Sequence, residues 1–139
     1  MKKIIIFGAT GNVGSYVHKY ACEYFKGKYE VIASGHRQTD FFEKQGQKYV
    51  SVDISNSEEF DKLPQNDVFA VIDLAAQIPS YMKGYQPEKY VKSNIMGAYN
   101  VLEYCRKVHA DRILFSTTVF DISLSATNGA VLKPDMPYN

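Results

Sequence analysis

The chain has 139 residues, of which 45% are hydrophobic and 22% are charged, with a formal net charge of +1. This length accommodates one domain with a substantial core and is too short for two ordinary domains. The balanced charge gives no reason to expect a nucleic acid or an acidic membrane surface as a partner. Because no apolar run approaches the roughly 20 residues that span a bilayer, and no signal-peptide pattern precedes the first apolar run, we expect a cytoplasmic protein.

The two cysteines, Cys22 and Cys105, lie in helix-like segments without the spacing of metal ligands. In a reducing compartment we expect them to be small buried hydrophobic side chains, and we expect no metal site. A disulfide between them is the less favoured alternative.

The N-terminal segment joins a strand-like run to three regularly spaced glycines. Residues 4–7 are continuous, β-branched and aromatic, which favours a strand buried on both faces of a parallel sheet. Gly8, Gly11 and Gly14 then allow a tight turn, close approach of the backbone to a ligand, and close packing of helix on strand. A helix beginning near Asn12 would aim its N–H groups and positive dipole end at a phosphate. The segment predicts a dinucleotide site; a glycine-rich turn without a ligand is the alternative.

Two longer segments show helical periodicity. The first helix is predicted over 13–25, with an apolar face comprising Val13, Val17, Tyr20, Ala21 and Tyr24. A second, longer helix is predicted over 88–109, with Pro87 suited to its first turn. Its apolar stripe comprises Tyr90, Val91, Ile95, Ala98, Val101, Leu102 and Cys105.

Strand-like segments alternate with these helices. They cover residues 29–33, 48–53, 67–75 and 112–117. A weakly amphipathic stretch at 39–45 precedes the third strand, and a short helix precedes the fourth, with Ser55 and Glu58 as its capping box and Pro64 as its end. The alternation predicts an α/β fold with one doubly wound parallel sheet over residues 1–139, truncated after about the fifth strand.

Four motifs in this order resemble the N-terminal portion of an extended short-chain dehydrogenase/reductase, the NAD-dependent epimerase/dehydratase family. They are GATGNVG at 8–14, VDIS at 52–55, DLAA at 73–76, and SNIMGAYNVLEYCRK at 93–107 followed by RILFSTTVF. The resemblance runs from Lys3 to about Phe120 and implies a Rossmann-type, NAD(P)-binding sheet.

The resemblance also implies roles for single residues. Asp53 would accept a hydrogen bond from the adenine amino group, although a loop or helix-capping aspartate is the alternative. Ala75 and Ala76 would let the cofactor approach the backbone, or simply pack tightly. Asn94 would order the cofactor side of the long helix, or be a solvated polar residue. The candidate cofactor contacts are Gly8, Thr10, Gly11, Asn12, Val13, Gly14, Arg37, Asp53, Ile54, Leu74, Ala75, Ala76, Asn94, Ser116 and Thr117.

Catalysis in the family rests on a tyrosine and on a lysine four residues later, together with a serine or threonine that hydrogen-bonds the reacting oxygen of the substrate. Thr118 matches the hydroxyl residue, although bonds from Ser116, Thr117 and Thr118 to strand-end backbone groups are the alternative. Tyr138 in Pro-Tyr-Asn is the candidate tyrosine, and a tyrosine further along the chain is the alternative. The chain reaches Asn139 before a lysine completes the pair. We therefore expect the cofactor-binding part of a longer protein, without its substrate-binding C-terminal part and without turnover.

The end of the second strand bears on the choice of cofactor. An acidic residue there would select NAD, whereas this chain has Gly35, His36 and Arg37, with the nearest carboxylate at Asp40. A cationic Arg37 favours the 2′-phosphate of NADP by charge and bidentate hydrogen bonding. A solvent-facing arginine is the alternative, so the pattern favours NADP by a small margin.

The predicted function is that of an NAD(P)-dependent oxidoreductase or sugar-nucleotide epimerase/dehydratase, which passes a hydride at nicotinamide C4. The expected partners are a small-molecule substrate, such as a nucleotide sugar, and a second copy in a homodimer. The alternative is a non-catalytic NAD(P)-sensing or protein-binding module on the same fold, because fold alone does not determine function.

Overall fold

A computed structural model describes residues 1–78, 84–117, 131, 133 and 135 of the chain. The candidates Thr118 and Tyr138 lie outside the described residues. Within the ranges that the structure describes, no helix is long and apolar enough to cross a membrane. Among the same described residues, no group of three or more His, Cys, Asp or Glu side chains could hold a metal ion.

The described residues form a five-stranded sheet in which every pair of neighbouring strands is parallel. Its order is β3-β2-β1-β4-β5, so the strand order reverses between β1 and β4. In open α/β sheets a ligand binds outside the carboxyl ends of the strands at such a reversal. The strands are β1 (Lys3–Phe7), β2 (Glu30–Gly35), β3 (Lys48–Ser51), β4 (Val68–Asp73) and β5 (Arg112–Phe115). The doubly wound α/β fold predicted from the sequence is confirmed.

The helices connect these strands. Helix α1 (Asn12–Tyr24) joins β1 to β2. A continuous helical stretch joins β4 to β5, in the order α2 (Pro87–Tyr90), a π-helical turn (Val91–Met96) and α3 (Gly97–Lys107). Short 3₁₀ turns at Glu43–Gln45 and Ser57–Lys62 complete the described elements.

The core has one cluster on each face of the sheet, and β1 contributes to both. Ile5 and Phe7 lie in the cluster that contains Val101 and Tyr104 of α3. Ile4 and Ile6 lie in the other cluster, with Ala21 of α1. The prediction that residues 4–7 form a strand buried on both faces is therefore confirmed.

The predicted apolar face of α1 is largely wrong. Val13, Tyr20 and Tyr24 are exposed, and the helix turns Gly14, His18 and Ala21 inward instead. A glycine on the inner face lets the helix lie close to the loop that precedes it, which brings the small residues of that face against the sheet. The long tyrosine side chains then project outward.

The predicted stripe of the long helix is also wrong in part, because Val91, Ile95 and Leu102 are exposed. Val101 is buried as predicted. The inward positions of α3 are Gly97, Asn100, Val101 and Tyr104.

The predicted capping box at Ser55 is wrong. The N-cap is Asn56, whose side chain accepts from the backbone N–H of Glu58. The Ser55 hydroxyl instead donates a hydrogen bond to Asp53 Oδ1 at 2.8 Å.

The cysteines are free and half-buried, and burial raises the pKa of the Cys105 thiol to about 11.

Candidate functional site

The first glycine makes a turn that only a residue without a side chain fits. Gly8 has φ +76°, the left-handed region that favours glycine. A Cβ at Gly8 would lie 2.7 Å from the carbonyl carbon and oxygen of Leu74. The chain leaving β1 therefore passes against the backbone that leaves β4, at the point where the strand order reverses.

The third glycine sets the start of α1 directly on this turn. A Cβ at Gly14 would lie 2.0 Å from the carbonyl oxygen of Gly8, far inside contact distance. At Gly11 the corresponding distance to the same oxygen is 3.2 Å, which is tight but less severe. The glycine spacing thus produces the close loop-on-helix packing that the sequence predicts.

The start of α1 is suited to an anion. Its N-cap is Gly11, no described side chain caps this end, and no acidic residue lies in the first turn. The N–H of Ser15 makes the first intrahelical bond, to Gly11 O at 3.0 Å, so the amides of Asn12 to Gly14 precede it. Such amides and the positive end of the helix dipole attract a phosphate.

The end of β2 lies beside the glycine-rich loop. A Cβ at Gly35 would lie 2.8 Å from Thr10 Oγ1, so Thr10 touches the strand end. His36 and Arg37 follow and are exposed. The structure brings Arg37 and the glycine-rich loop to the same edge of the sheet, as the cofactor prediction requires.

The loop after β3 is ordered by Asp53. Its Oδ1 accepts from the backbone N–H of Ser55 at 2.9 Å and from the Ser55 hydroxyl. The backbone N–H of Asp53 donates to the Glu59 carboxylate at 2.8 Å. Asp53 therefore acts as a loop aspartate, and a carboxylate has about four acceptor positions, so these bonds leave capacity for an adenine amino group. Ile54 packs inward, with its Cδ1 2.6 Å from where a Cβ of Gly97 would lie.

The end of β4 is held by a buried carboxyl group. Asp73 is 2% exposed, and its Oδ1 accepts from the backbone N–H of Ala75 at 3.0 Å. Burial raises the pKa of this carboxyl. The bond turns the backbone out of the strand, which explains why β4 ends at Asp73 instead of 75. Leu74 and Ala75 are half-buried and Ala76 is exposed at this edge.

Asn94 fastens the loop after β4 to the long helix. Its Oδ1 accepts from the backbone N–H of Gln77 at 2.7 Å, and its Nδ2 donates to Gln77 O at 3.0 Å. Asn94 lies in the π-helical turn, a distortion frequently found at functional sites. It is therefore not a freely solvated residue: it orders the backbone beside the candidate site.

The end of β5 is only partly described. The Ser116 hydroxyl donates to Asp73 O at 3.3 Å, and the Ser116 backbone N–H reaches the same oxygen at 3.3 Å. Ser116 thus satisfies a strand-end carbonyl, which was one of its two predicted roles. Thr117 is exposed, and the cofactor contacts assigned to both residues stay predictions.

The model of the NAD dependent epimerase/dehydratase family matches residues 4–138 of the chain. The chain belongs to this family. The match spans the glycine-rich loop, the ends of all five strands and Asn94, so the resemblance of the motifs is confirmed over nearly the whole chain.

Two curated relatives carry names that describe family activities. The chain is 30% identical over 109 residues to a UDP-N-acetylglucosamine 4,6-dehydratase (inverting) of Campylobacter jejuni, covering 75% of this chain and 32% of that protein. It is 29% identical over 117 residues to a putative UDP-glucose 4-epimerase of Methanocaldococcus jannaschii, covering 83% of this chain and 37% of that protein. The chain thus spans well under half the length of these family members.

Solved structures agree on the fold of this family member. A Thermus thermophilus UDP-glucose 4-epimerase in complex with NAD superposes with a TM-score of 0.76 at 22% identity, over 99% of this chain and 44% of that one. A Bacillus cereus UDP-glucuronic acid 4-epimerase, in complex with a substrate analogue and NAD, gives a TM-score of 0.74 at 25% identity, over 99% of this chain and 46% of that one.

Two residues that shape the site were missed by the sequence analysis. Asn100 is buried and donates to Ile54 O at 2.8 Å, which ties α3 to the loop after β3. Its signal was a polar residue within the apolar stripe of a helix. Tyr49 donates from its hydroxyl to Gly35 O at 2.8 Å, and only the sheet register, which a single sequence does not display, brings these residues together.

Proposed function

We propose that this chain binds NAD(P) across the carboxyl ends of β1, β2 and β4, with the pyrophosphate at the start of α1. The observation that carries the proposal is the close contact at Gly14, where any Cβ would lie 2.0 Å from Gly8 O, so that the start of α1 lies directly on the turn after β1. The uncapped amides of α1 beside this turn fit a phosphate group held by backbone alone. The membership of the family and its NAD-complexed structural neighbours support the same cofactor.

Bound NAD(P) would supply hydride transfer at nicotinamide C4, and the chain's own residues would bind and orient it. Asp53 would accept from the adenine amino group, and Ile54 would line the adenine side. Ala75 and Ala76, at the end of β4, would admit the nucleotide close to the backbone. Asn94 would hold the 74–77 segment in place through its two bonds to Gln77.

The activity we propose for the whole protein is that of an NAD(P)-dependent oxidoreductase or sugar-nucleotide epimerase/dehydratase. The two relatives, a UDP-N-acetylglucosamine 4,6-dehydratase and a putative UDP-glucose 4-epimerase, support a nucleotide-sugar substrate. Thr118 would hydrogen-bond the reacting oxygen of the substrate, and Tyr138 would act as acid and base. For the 139 residues themselves we propose cofactor binding without turnover.

We further propose a preference for NADP. The exposed Arg37 follows β2 at the edge where the adenosine ribose would lie, and the carboxylate that would select NAD is missing from positions 35–37. A guanidinium binds a phosphate in a bidentate manner, which favours the 2′-phosphate.

Fluorescence titration of the 139-residue chain with NADPH and with NADH tests the proposal. We expect both to bind, NADPH more tightly, and no reduction of added UDP-sugar-derived ketone by the chain. Failure of both nucleotides to bind would overturn the cofactor site. Tighter NADH binding would overturn the NADP preference only.

A further inference from the structure

The turn after β2 is held by a hydroxyl group from the neighbouring strand. Tyr49 of β3 places its hydroxyl against two backbone carbonyls, those of Gly35, at 2.8 Å, and Arg37. A phenol has one hydrogen to donate, so the two carbonyls compete for it and both must point at the same atom. The backbone of residues 35–37 therefore turns around the Tyr49 hydroxyl, and Arg37 lies at the end of this turn.

The position of the hydroxyl is itself fixed by packing. The Tyr49 ring stacks on Phe42, with centroids 5.1 Å apart and planes 4° from parallel. Phe42 is buried and meets His18 of α1 edge-on at 5.0 Å. A row of three rings thus ties the turn after β2 to the helix whose first turn faces the glycine-rich loop.

Gly35 is required on the other side of the same turn. A Cβ at Gly35 would lie 2.8 Å from Thr10 Oγ1 and 3.4 Å from the Tyr49 hydroxyl. The strand end is therefore enclosed between the glycine-rich loop and Tyr49. Burial raises the pKa of the Tyr49 phenol, while a hydrogen bond with Ser51 and the charge of Arg37 lower it to a smaller extent.

We infer that Tyr49 is a positioning residue for cofactor selectivity: its hydroxyl fixes the backbone of 35–37 so that Arg37 faces the 2′-phosphate of NADP. The inference rests on the proposed cofactor site and adds to it a residue that does not touch the cofactor. An exposed arginine on a loose turn loses backbone as well as side-chain entropy when it binds, and a braced backbone removes the backbone part of that cost.

The test is Tyr49→Phe, which keeps the ring on Phe42 and removes only the hydroxyl. We expect the Kd for NADPH to rise about fivefold to tenfold, the effect of one lost hydrogen bond, with the Kd for NADH within twofold of the native value. The matched control is Tyr104→Phe, which removes a hydroxyl that donates to Pro64 O at 2.5 Å in the other core cluster. It should leave the NADPH/NADH ratio unchanged.

A double-mutant cycle with Arg37→Ala separates positioning from general stability. If Tyr49 acts through Arg37, Tyr49→Phe should have no effect on NADPH binding when Arg37→Ala is already present. Should Tyr49→Phe melt below the assay temperature, both nucleotides are titrated below its melting temperature, where the same selective loss must appear.

The outcomes are distinguishable. Native protein that binds neither nucleotide overturns the cofactor site itself. Native protein that prefers NADPH, together with variants at Tyr49 that keep the native NADPH/NADH ratio or lose both nucleotides equally, leaves the site standing and overturns the inference. Native preference for NADH also overturns it.

Discussion

The two halves of the sheet differ in how completely their side chains are covered. In β1, Ile5 and Ile6 are 0% exposed, with packed residues on both faces. In β5, Leu114 is 55% exposed and Phe115 is 51% exposed, although both continue the same sheet. The glycine-rich loop, Arg37 and Tyr49 belong to the covered half, where close contacts such as that of Gly14 with Gly8 O constrain the backbone. The candidate residue Thr118 comes after β5 in the sequence.

An apolar surface also lies beside α1, next to β4 of the sheet. A groove of about 880 Å³ lies there, lined mainly by apolar and aromatic side chains that include Tyr16, Tyr20, Tyr24 and Ile72. It is larger than a single side chain could fill, and it contains few of the polar groups that orient a cofactor. Size alone therefore does not identify the candidate site, which we place at the glycine-rich loop and the start of α1.

The largest difference is expected between matched core and edge truncations. Ile5→Ala should lower the free energy of unfolding by about 2–5 kcal/mol because it opens a cavity between two packed faces. Leu114→Ala should cost under about 1 kcal/mol, since half of that side chain is already in water. Urea unfolding of both variants measures this. Equal losses would mean that β5 is covered in solution.

A smaller effect is expected at the junction of loop and helix. Gly14→Ala should force the backbone at Gly8 to move. We expect the Kd for NAD(P)H to rise roughly 5- to 150-fold, which corresponds to about 1–3 kcal/mol of binding free energy. Gly46→Ala is the control, because Gly46 has φ +68° and open space around it. It should lose stability through strain and keep the native Kd. A native Kd for NAD(P)H in Gly14→Ala would show that the cofactor does not bind at the glycine-rich loop and the start of α1.

A more modest effect on stability is expected where Asn94 joins the loop after β4 to the long helix. Asn94→Ala removes both bonds to the Gln77 backbone, which should cost about 1 kcal/mol and accelerate amide exchange at Gln77. Asn66→Ala is the comparison, as an exposed asparagine before β4. Unchanged exchange at Gln77 would mean that the loop is held by other contacts.

The smallest effect is a pH dependence in the covered half. His18 is buried against Phe42 and near Cys22 Sγ, and burial lowers the pKa of this imidazole. The unfolded chain then takes up the proton first, so stability is full above about pH 6.5 and falls as the pH drops through the folded pKa. Thermal melts from pH 7.5 to 5 should show this loss in the native chain and less of it in His18→Phe. Identical pH profiles would exclude His18 as the cause.

The sequence predicts the covered half better than the open half, for a physical reason. Continuous apolar runs and spaced glycines encode β1, the turn at Gly8 and the start of α1 locally, so these predictions are confirmed. The inward face of α1 is not encoded locally, because Tyr20 and Tyr24 are amphipathic and lie equally well in a core or on a surface. The inward face is set by contacts made in the folded chain, among them those of Gly14 with Gly8 O and of His18 with Phe42.

The candidate site was likewise predicted from the sequence only in part. The motifs identify Asp53 and Asn94 as candidates, but not the bonds of Asn94, since Gln77 is 17 residues away along the chain and comes into reach only in the folded chain. Tyr49 is missed altogether because only the β2–β3 register, which pairs Tyr49 with Ala33, brings its hydroxyl within reach of Gly35 O.

Amide chemical-shift mapping with NADPH tests the central claim most directly. We expect the largest shifts at the amides of Gly8, Gly11 to Val13 and Arg37, with those of Ile113 to Phe115 unchanged. Shifts centred on Tyr20 and Tyr24 in the groove beside α1, or no saturable shifts, would contradict it.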